Sequence, residues 1–299
     1  MVKRIISSTS SEILNFTPKE LKESIRASEG RVIVSENVVC RESFLGDVTN
    51  SEVARAFGAD MILLNAFDVF NPFISGLETK GKNTINKLHK LIGAPIGLNL
   101  EPCDQNAKMQ DQKVEIEKGR IVYKESLEEA ARLGFDFVCL TGNPGTGVTN
   151  EKIAESIKAA KKYFNGLIIA GKMHSSGVKE SVTSKESIET FVKAGADIIL
   201  LPAVGTVPGF DSELLKRAVK IAHAYDALVM TAIGTSQEGS SKETIRQIAL
   251  INKICGVDIQ HIGDAGYAGL APAENIYELS KVIRGIRHTA SVMSRSINR

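Results

Sequence analysis

The stretch AFGADMILLN (56–65) is one of four copies of a single phrase, the others being RLGFDFVCLT (132–141), KAGADIILLP (193–202) and ICGVDIQHIG (254–263). Each sets a Gly, one further residue and an Asp in front of an apolar run, and each follows an amphipathic stretch. Gly reaches the left-handed conformation that ends a helix without the steric cost other residues meet. The phrase therefore predicts a helix closing at Gly58, Gly134, Gly195 or Gly256 and a buried strand directly after it. Four more apolar runs alternate with these: RVIVSENVV (31–39), PIGLNLEPC (95–103), GLIIAGKMH (166–174) and ALVMTAIGT (227–235). Short unbroken runs of Val, Ile and Leu suit parallel strands covered on both faces.

Helical periodicity and caps fill the gaps at 49–57, 83–92, 125–133, 150–163, 184–194, 211–224, 241–254 and 272–287. Several of these open on Ser, Thr, Asp or Asn, whose side chains accept hydrogen bonds from the free N–H groups of a first turn. A further helix, 18–27 behind the cap Thr17, precedes the first strand and is placed to close the barrel bottom. Eight strands, each followed by a helix, specify an α/β fold of the (β/α)8 TIM-barrel type with an extra N-terminal helix, spanning 1–299 as one domain. A doubly wound open sheet also alternates strand and helix, but it carries a Gly-rich dinucleotide turn after its first strand, and SENVVCRESFLGD (35–47) has no GxGxxG.

Composition narrows the function. With 37 Lys and Arg against 35 Asp and Glu, scattered rather than clustered, the chain lacks the basic stripe of a nucleic-acid binder. Trp is absent and aromatics make up 5%, so base-stacking platforms are not expected either. The four cysteines form no CxxC pair, the start has no signal-peptide apolar core, and no stretch has the length of a membrane span. The expectation is a cytoplasmic protein with a small-molecule partner and neither nucleic acid nor membrane.

Links from strand to helix are long and polar, whereas links from helix to strand are two or three residues long. That asymmetry puts the chemistry at the C-terminal face of the barrel. The strand ends present Glu36; Asn65 and Asp68; Asn99 and Glu101; Thr141 and Asn143; Lys172 and His174; residues 202–206; Thr231 and Thr235; and Gln260, His261 and Asp264. After strand seven comes AIGTSQEGSS (232–241), and after strand eight HIGDAGYAGLAP (261–272) leads into the last helix. Gly lets backbone N–H groups approach an anion closely and a helix start adds favourable dipole charge. Gly234, Thr235, Ser236, Gly263, Asp264, Ala265 and Gly266 are the expected phosphate cradle, with Asp264 the member able to repel phosphate.

Lys172 and His174 share a strand face by the period of two. A desolvated Lys172 either attacks a carbonyl to form a Schiff base, with His174 shuttling the proton, or serves as a fixed cation. Asn99 and Glu101 share a face as well. Glu101 is read as a general base, as a ligand for a divalent cation such as Mg together with Glu36 or Asp68, or as the buried partner of Lys172. No HExxH, DxD or EF-hand spacing is present. NPGTGVTN (143–150) lacks the Lys-Ser/Thr ending of a P-loop and is read as a loop over the site, with Thr149 or Asn150 as helix cap. In the insertion 104–123, alternation in KVEIEKGRIVY (113–123) around Lys118 and Gly119 predicts a β-hairpin that covers the site or meets a second copy of the chain in a homo-oligomer.

The GTS and GDAG loops make the chain similar to phosphate-binding TIM barrels, and SEVARAFGADMILLN (51–65) resembles the opening of phosphoenolpyruvate mutase and isocitrate lyase barrels. The paired acids those enzymes carry after strand three read NLEP here, and no KKCGH-like loop is present, so their mechanism is not carried over. The expectation is a lyase or isomerase, with aldolase- or enolisation-type chemistry, acting on a phosphorylated small keto or hydroxy acid or sugar. The site would combine Lys172, His174, Glu101, Asn99 and Asp68 with the cradle. An FMN-dependent oxidoreductase and a non-catalytic sugar-phosphate sensor are the alternatives.

Overall fold

The computed structural model describes residues 2–110, 112–264 and 268–299. Two helices, α1 (Ser10–Leu14) and α2 (Pro18–Arg26), precede the first strand. Then follow β1 (Val32–Val38), α3 (Asn50–Ala56), β2 (Met61–Asn65), α4 (Thr84–Ile92), β3 (Ile96–Leu100), α5 (Lys124–Leu133), β4 (Phe137–Leu140) and α6 (Asn150–Tyr163). The second half runs β5 (Leu167–Gly171), α7 (Lys185–Ala194), β6 (Ile198–Pro202), α8 (Ser212–Ala224), β7 (Leu228–Ile233), α9 (Lys242–Ile254), β8 (Ile259–Ile262) and α10 (Ala273–Ser294). The strands are parallel and in sequence order, and β1 pairs with β8 from Val32↔Ile259 to Ser35↔Ile262, closing the barrel. No helix among the described residues is long and apolar enough to cross a membrane.

The repeated aspartate has a structural task that its sequence position only hints at. Asp60, Asp136, Asp197 and Asp258 each turn Oδ2 to a backbone N–H at the start of the preceding strand. Their donors are Ile33 at 2.9 Å, Ile96 at 2.7 Å, Ile168 at 3.0 Å and Val229 at 2.8 Å. Each aspartate also donates its own N–H to the carbonyl of the same residue. Strand starts in a parallel barrel leave backbone donors unpaired at the bottom, and buried donors must find partners. Four two-bond clasps therefore tie β2, β4, β6 and β8 to β1, β3, β5 and β7. Each clasp also meets a basic or imidazole side chain: Arg284 for Asp60, His89 for Asp136, Lys22 for Asp197 and His223 for Asp258.

Inside the barrel the lower tier is apolar. Val32, Met61, Phe137, Leu167, Ile198, Leu228 and Ile259 meet there, and Ile5, Ile6, Leu21 and Ile25 plug the bottom. Phe137 fills the space that Gly97 leaves, since a Cβ at Gly97 would lie 2.0 Å from its ring. The plug includes α2, as expected, with Thr17 and Glu20 forming a capping box at its start.

Two expectations are corrected. Residues 113–117 form no strand, and Lys118–Arg120 is a 3-10 turn where the hairpin turn was expected. In this insertion Met109 bridges instead to Val178 in the loop after β5 and Ile121 to Glu101 just past β3, while Cys103, directly before it, bridges to Val148. Local alternation fits an extended chain equally well whether its partner is its neighbour or a distant loop. The last helix also outruns the expected end, continuing to Ser294 across a kink at Gly285.

Candidate functional site

At the C-terminal mouth lies a cavity of about 560 Å³, within the range of small-molecule sites. Glu36 from the β1 end, Asn65 from β2, Asn143 after β4, His174 after β5, Gly234, Thr235 and Ser236 after β7, and Gly263 and Asp264 after β8 all line it. The insertion after β3 reaches over one side. Gln110 lines the cavity and its N–H donates to Gly177 O at 2.8 Å, while Val114 N–H donates to Gly145 O at 2.8 Å. Three loops are stitched into one wall in this way.

Toward the mouth, above this apolar lining, inward-facing strand positions turn polar. Glu36 is 5% exposed and His261 is fully buried below the cavity floor, with Nε2 of His261 2.7 Å from Glu36 Oε2. The two lie at ion-pair distance but outside hydrogen-bond alignment, and both ring nitrogens of His261 lack a hydrogen-bond partner among the described residues.

Across the mouth, Asn65 and Asn143 bond reciprocally, Asn65 Nδ2 donating at 2.9 Å and Asn143 Nδ2 at 3.0 Å. The Asn99 amide meets Asn65 at 3.2 Å. Glu101 sits behind Asn143, accepting from its N–H at 2.8 Å and its Nδ2 at 2.6 Å, and Arg120 Nη2 donates to Glu101 at 3.2 Å. Both Glu101 carboxylate oxygens are thus engaged, and the residue does not line the cavity.

Lys172 and His174 part company. Strand β5 stops at Gly171, so the period of two no longer governs the next residues. His174 turns into the cavity, whereas Lys172 turns out of it, its buried Nζ 2.6 Å from Glu180 Oε1. Glu180 also accepts the Asn150 N–H at the start of α6, so the lysine anchors the loop rather than facing a ligand. Burial lowers the pKa of Lys172, and hydrogen bonding and charge from Glu180 oppose that shift.

His174 accepts the Ser176 N–H on Nδ1 at 3.0 Å, which leaves the proton of the neutral ring on Nε2. Burial lowers its pKa, opposed by Glu36 and reinforced by Lys172, so the ring is neutral at pH 7. Between the lowered value and the free value of about 6.5 the unfolded chain binds more protons than the folded one, so stability from this group falls as pH drops through that window. Activity that needs neutral His174 keeps its acid limb below the range of free histidine. A pH–rate profile checks this, and a limb centred above about 6.5 contradicts it.

The turn after β7 is backbone-strained. Thr235 and Ser236 take φ of 56° and 74°, a region that non-glycine residues, β-branched ones above all, enter at a cost. Thr235 Oγ1 donates to Thr206 O at 2.8 Å, which holds the turn. Gly meets no such cost at this φ, so Ser236→Gly is expected to stabilise the fold by about 1 kcal/mol while loosening this wall. A lowered melting temperature in calorimetry contradicts that expectation.

Of the other expected site residues, Asp68 accepts from Phe70 N–H and Asn71 Nδ2, both at 2.8 Å, in a turn away from the cavity. Glu36, Asp68 and Glu101 consequently do not converge on one point, and no group of three His, Cys, Asp or Glu among the described residues could hold a metal. Ala265 and Gly266 lie outside the described residues. Sequence reasoning missed Gln110, Ser175 and Glu238 in the cavity wall. Glu238 carried a signal in its place inside the strand-seven loop, and Gln110 in its place inside the insertion 104–123.

Solved structures that share the fold include a Schiff base-forming fructose-1,6-bisphosphate aldolase, at 17% identity and TM-score 0.54 over 86% of this chain and 96% of that one. An archaeal fructose 1,6-bisphosphate aldolase gives 17% and 0.52 over 86% and 95%. A 2,3-dimethylmalate lyase of the PEP mutase/isocitrate lyase superfamily gives 13% and 0.50 over 87% and 82%. No curated protein matches the chain in sequence. One family model, described as Domain of unknown function (DUF7916), matches residues 6–299, and the chain belongs to that family.

Proposed function

We propose that this barrel is a lyase- or isomerase-type enzyme that moves a proton beside a carbonyl of a small phosphorylated hydroxy or keto compound. The observation that carries the reading is the shared cavity of Glu36, a carboxylate, and His174, a neutral imidazole with its proton on Nε2. Glu36 takes the proton from the carbon next to the carbonyl, the electron pair moves onto the carbonyl oxygen, and His174 Nε2–H donates to that oxygen. Glu101 acts as a positioning residue that presets Asn143. The phosphate is proposed to lie at the Gly234–Thr235–Ser236 turn, held by backbone N–H groups. Enolisation is favoured over a Schiff base because Lys172 is paired with Glu180 outside the cavity.

The test is proton exchange. Incubation with candidate carbonyl compounds in D2O, followed by NMR, is expected to show enzyme-dependent deuterium uptake at the carbon beside the carbonyl, and no borohydride-trapped adduct on Lys172. An adduct on Lys172 with a turned-over substrate replaces enolisation with the Schiff-base route. Absence of exchange across all compounds that bind removes the enzyme reading.

A further inference from the structure

The cavity wall is unusual in charge. Its ionisable lining among the described residues is Glu36, Glu238, Asp264 and the neutral His174, and no Lys or Arg lines it. The lysine closest in sequence, Lys172, is turned away and neutralised by Glu180. The remaining polar lining consists of amides and hydroxyls, Asn65, Asn143 and Gln110 prominent among them.

A carboxylate on a ligand needs a cation or several aligned donors to replace its water, and next to Glu36 it meets like charge instead. An uncharged hydroxyl has the opposite preference, donating to a carboxylate and accepting from an amide. The Asn65–Asn143 pair is already oriented by reciprocal bonds and by Glu101; Asn143 spends both Nδ2 protons there, so the pair offers a ligand the second Nδ2 proton of Asn65 and the Asn143 Oδ1 acceptor without first being ordered.

We infer that the body of the substrate is an uncharged polyhydroxylated carbonyl compound, a ketose or aldose, and not a keto acid or dicarboxylic acid. This rests on reading the cavity as the active site. A phosphate, where the sugar carries one, is assigned to the Thr235–Ser236 turn, because Gly263 has the Glu238 carboxylate beside it and gives its own N–H to Ile233 O.

Thermal-shift titrations of the full chain with three- to six-carbon sugars, free and phosphorylated, and with pyruvate, oxaloacetate and malate test this at ligand concentrations up to about 10 mM. Sugars are expected to stabilise the protein and the acids not to. The pairing of free with phosphorylated sugars reports whether the phosphate end is used. Glu36→Gln is expected to weaken the sugar response about tenfold or more, as loss of a charge-assisted hydrogen bond does. Stabilisation by the acids at lower concentration than by any sugar overturns the inference, as does no response to any sugar. Deuterium exchange run in parallel separates the two readings. Sugars that bind without exchange leave the ligand class standing and remove the proposed enzyme reading, whereas acids that bind and exchange do the reverse.

Discussion

Under the proposed enolisation, Glu36→Gln is expected to lower kcat by about 10³-fold with a much smaller change in KM, the size of effect that follows when a general base is removed while shape is kept. Glu36 lies against a buried histidine, His261, at 2.7 Å. Glu36 lies on a strand at the buried floor of the cavity, whereas Glu238 and Asp264 belong to the loops after β7 and β8. Single-turnover kinetics with the substrate found by exchange measure the effect. A variant within tenfold of the parent shows that Glu36 only lines the wall, and Glu238 or Asp264 becomes the base to examine. Because Gln matches Glu in volume, an unchanged melting temperature is the control that separates lost chemistry from lost fold.

Asp60→Ala is the most destabilising of the four clasp substitutions, by about 3–5 kcal/mol, since removing one partner of a buried ion pair strands the other. Asp60 accepts from Ile33 N–H and from Arg284 Nη1 at 2.6 Å, and the Arg284 side chain is fully buried, also donating to Ser280 at 2.9 Å and to Gly58 O. Side-chain exposure of the four aspartates runs from 3% at Asp60 through 12% at Asp258 and 22% at Asp197 to 31% at Asp136. Water rescues the exposed clasps, so costs should fall in the same order, to about 1 kcal/mol at the last two. Denaturant unfolding of the four alanine variants checks the ranking, and equal losses at all four positions refute the burial argument. Arg284→Met is the companion variant, expected to cost as much as Asp60→Ala because it leaves the Asp60 charge buried.

The barrel was legible because its evidence is local. A helix that ends on a left-handed glycine and passes straight into a buried strand writes both events into ten residues, and all four such glycines adopt positive φ. Helix starts were equally legible, since caps such as Thr49, Ser184 and Asp211 bond N–H groups only three residues away. What the aspartate of each phrase does was not legible, because its partners, from Ile33 to Arg284, stand up to 224 residues off.

The candidate site divides along the same line. From the chain alone came the face of the barrel that carries the candidate cavity and, in its wall, Gly234, Thr235, Ser236, Gly263 and Asp264, since strand ends follow from strand positions. Tertiary structure decided which end residues turn inward. Beyond the last ladder bond of β5 nothing maintains the alternation, so Lys172 went to Glu180 and His174 to the cavity. Glu101 was likewise claimed by Arg120 and Asn143, whose approach depends on how two separate loops fold back. The sequence by itself determined the barrel and its working face through short-range backbone preferences. The charge and membership of the cavity depended on long-range pairing, which no local pattern records.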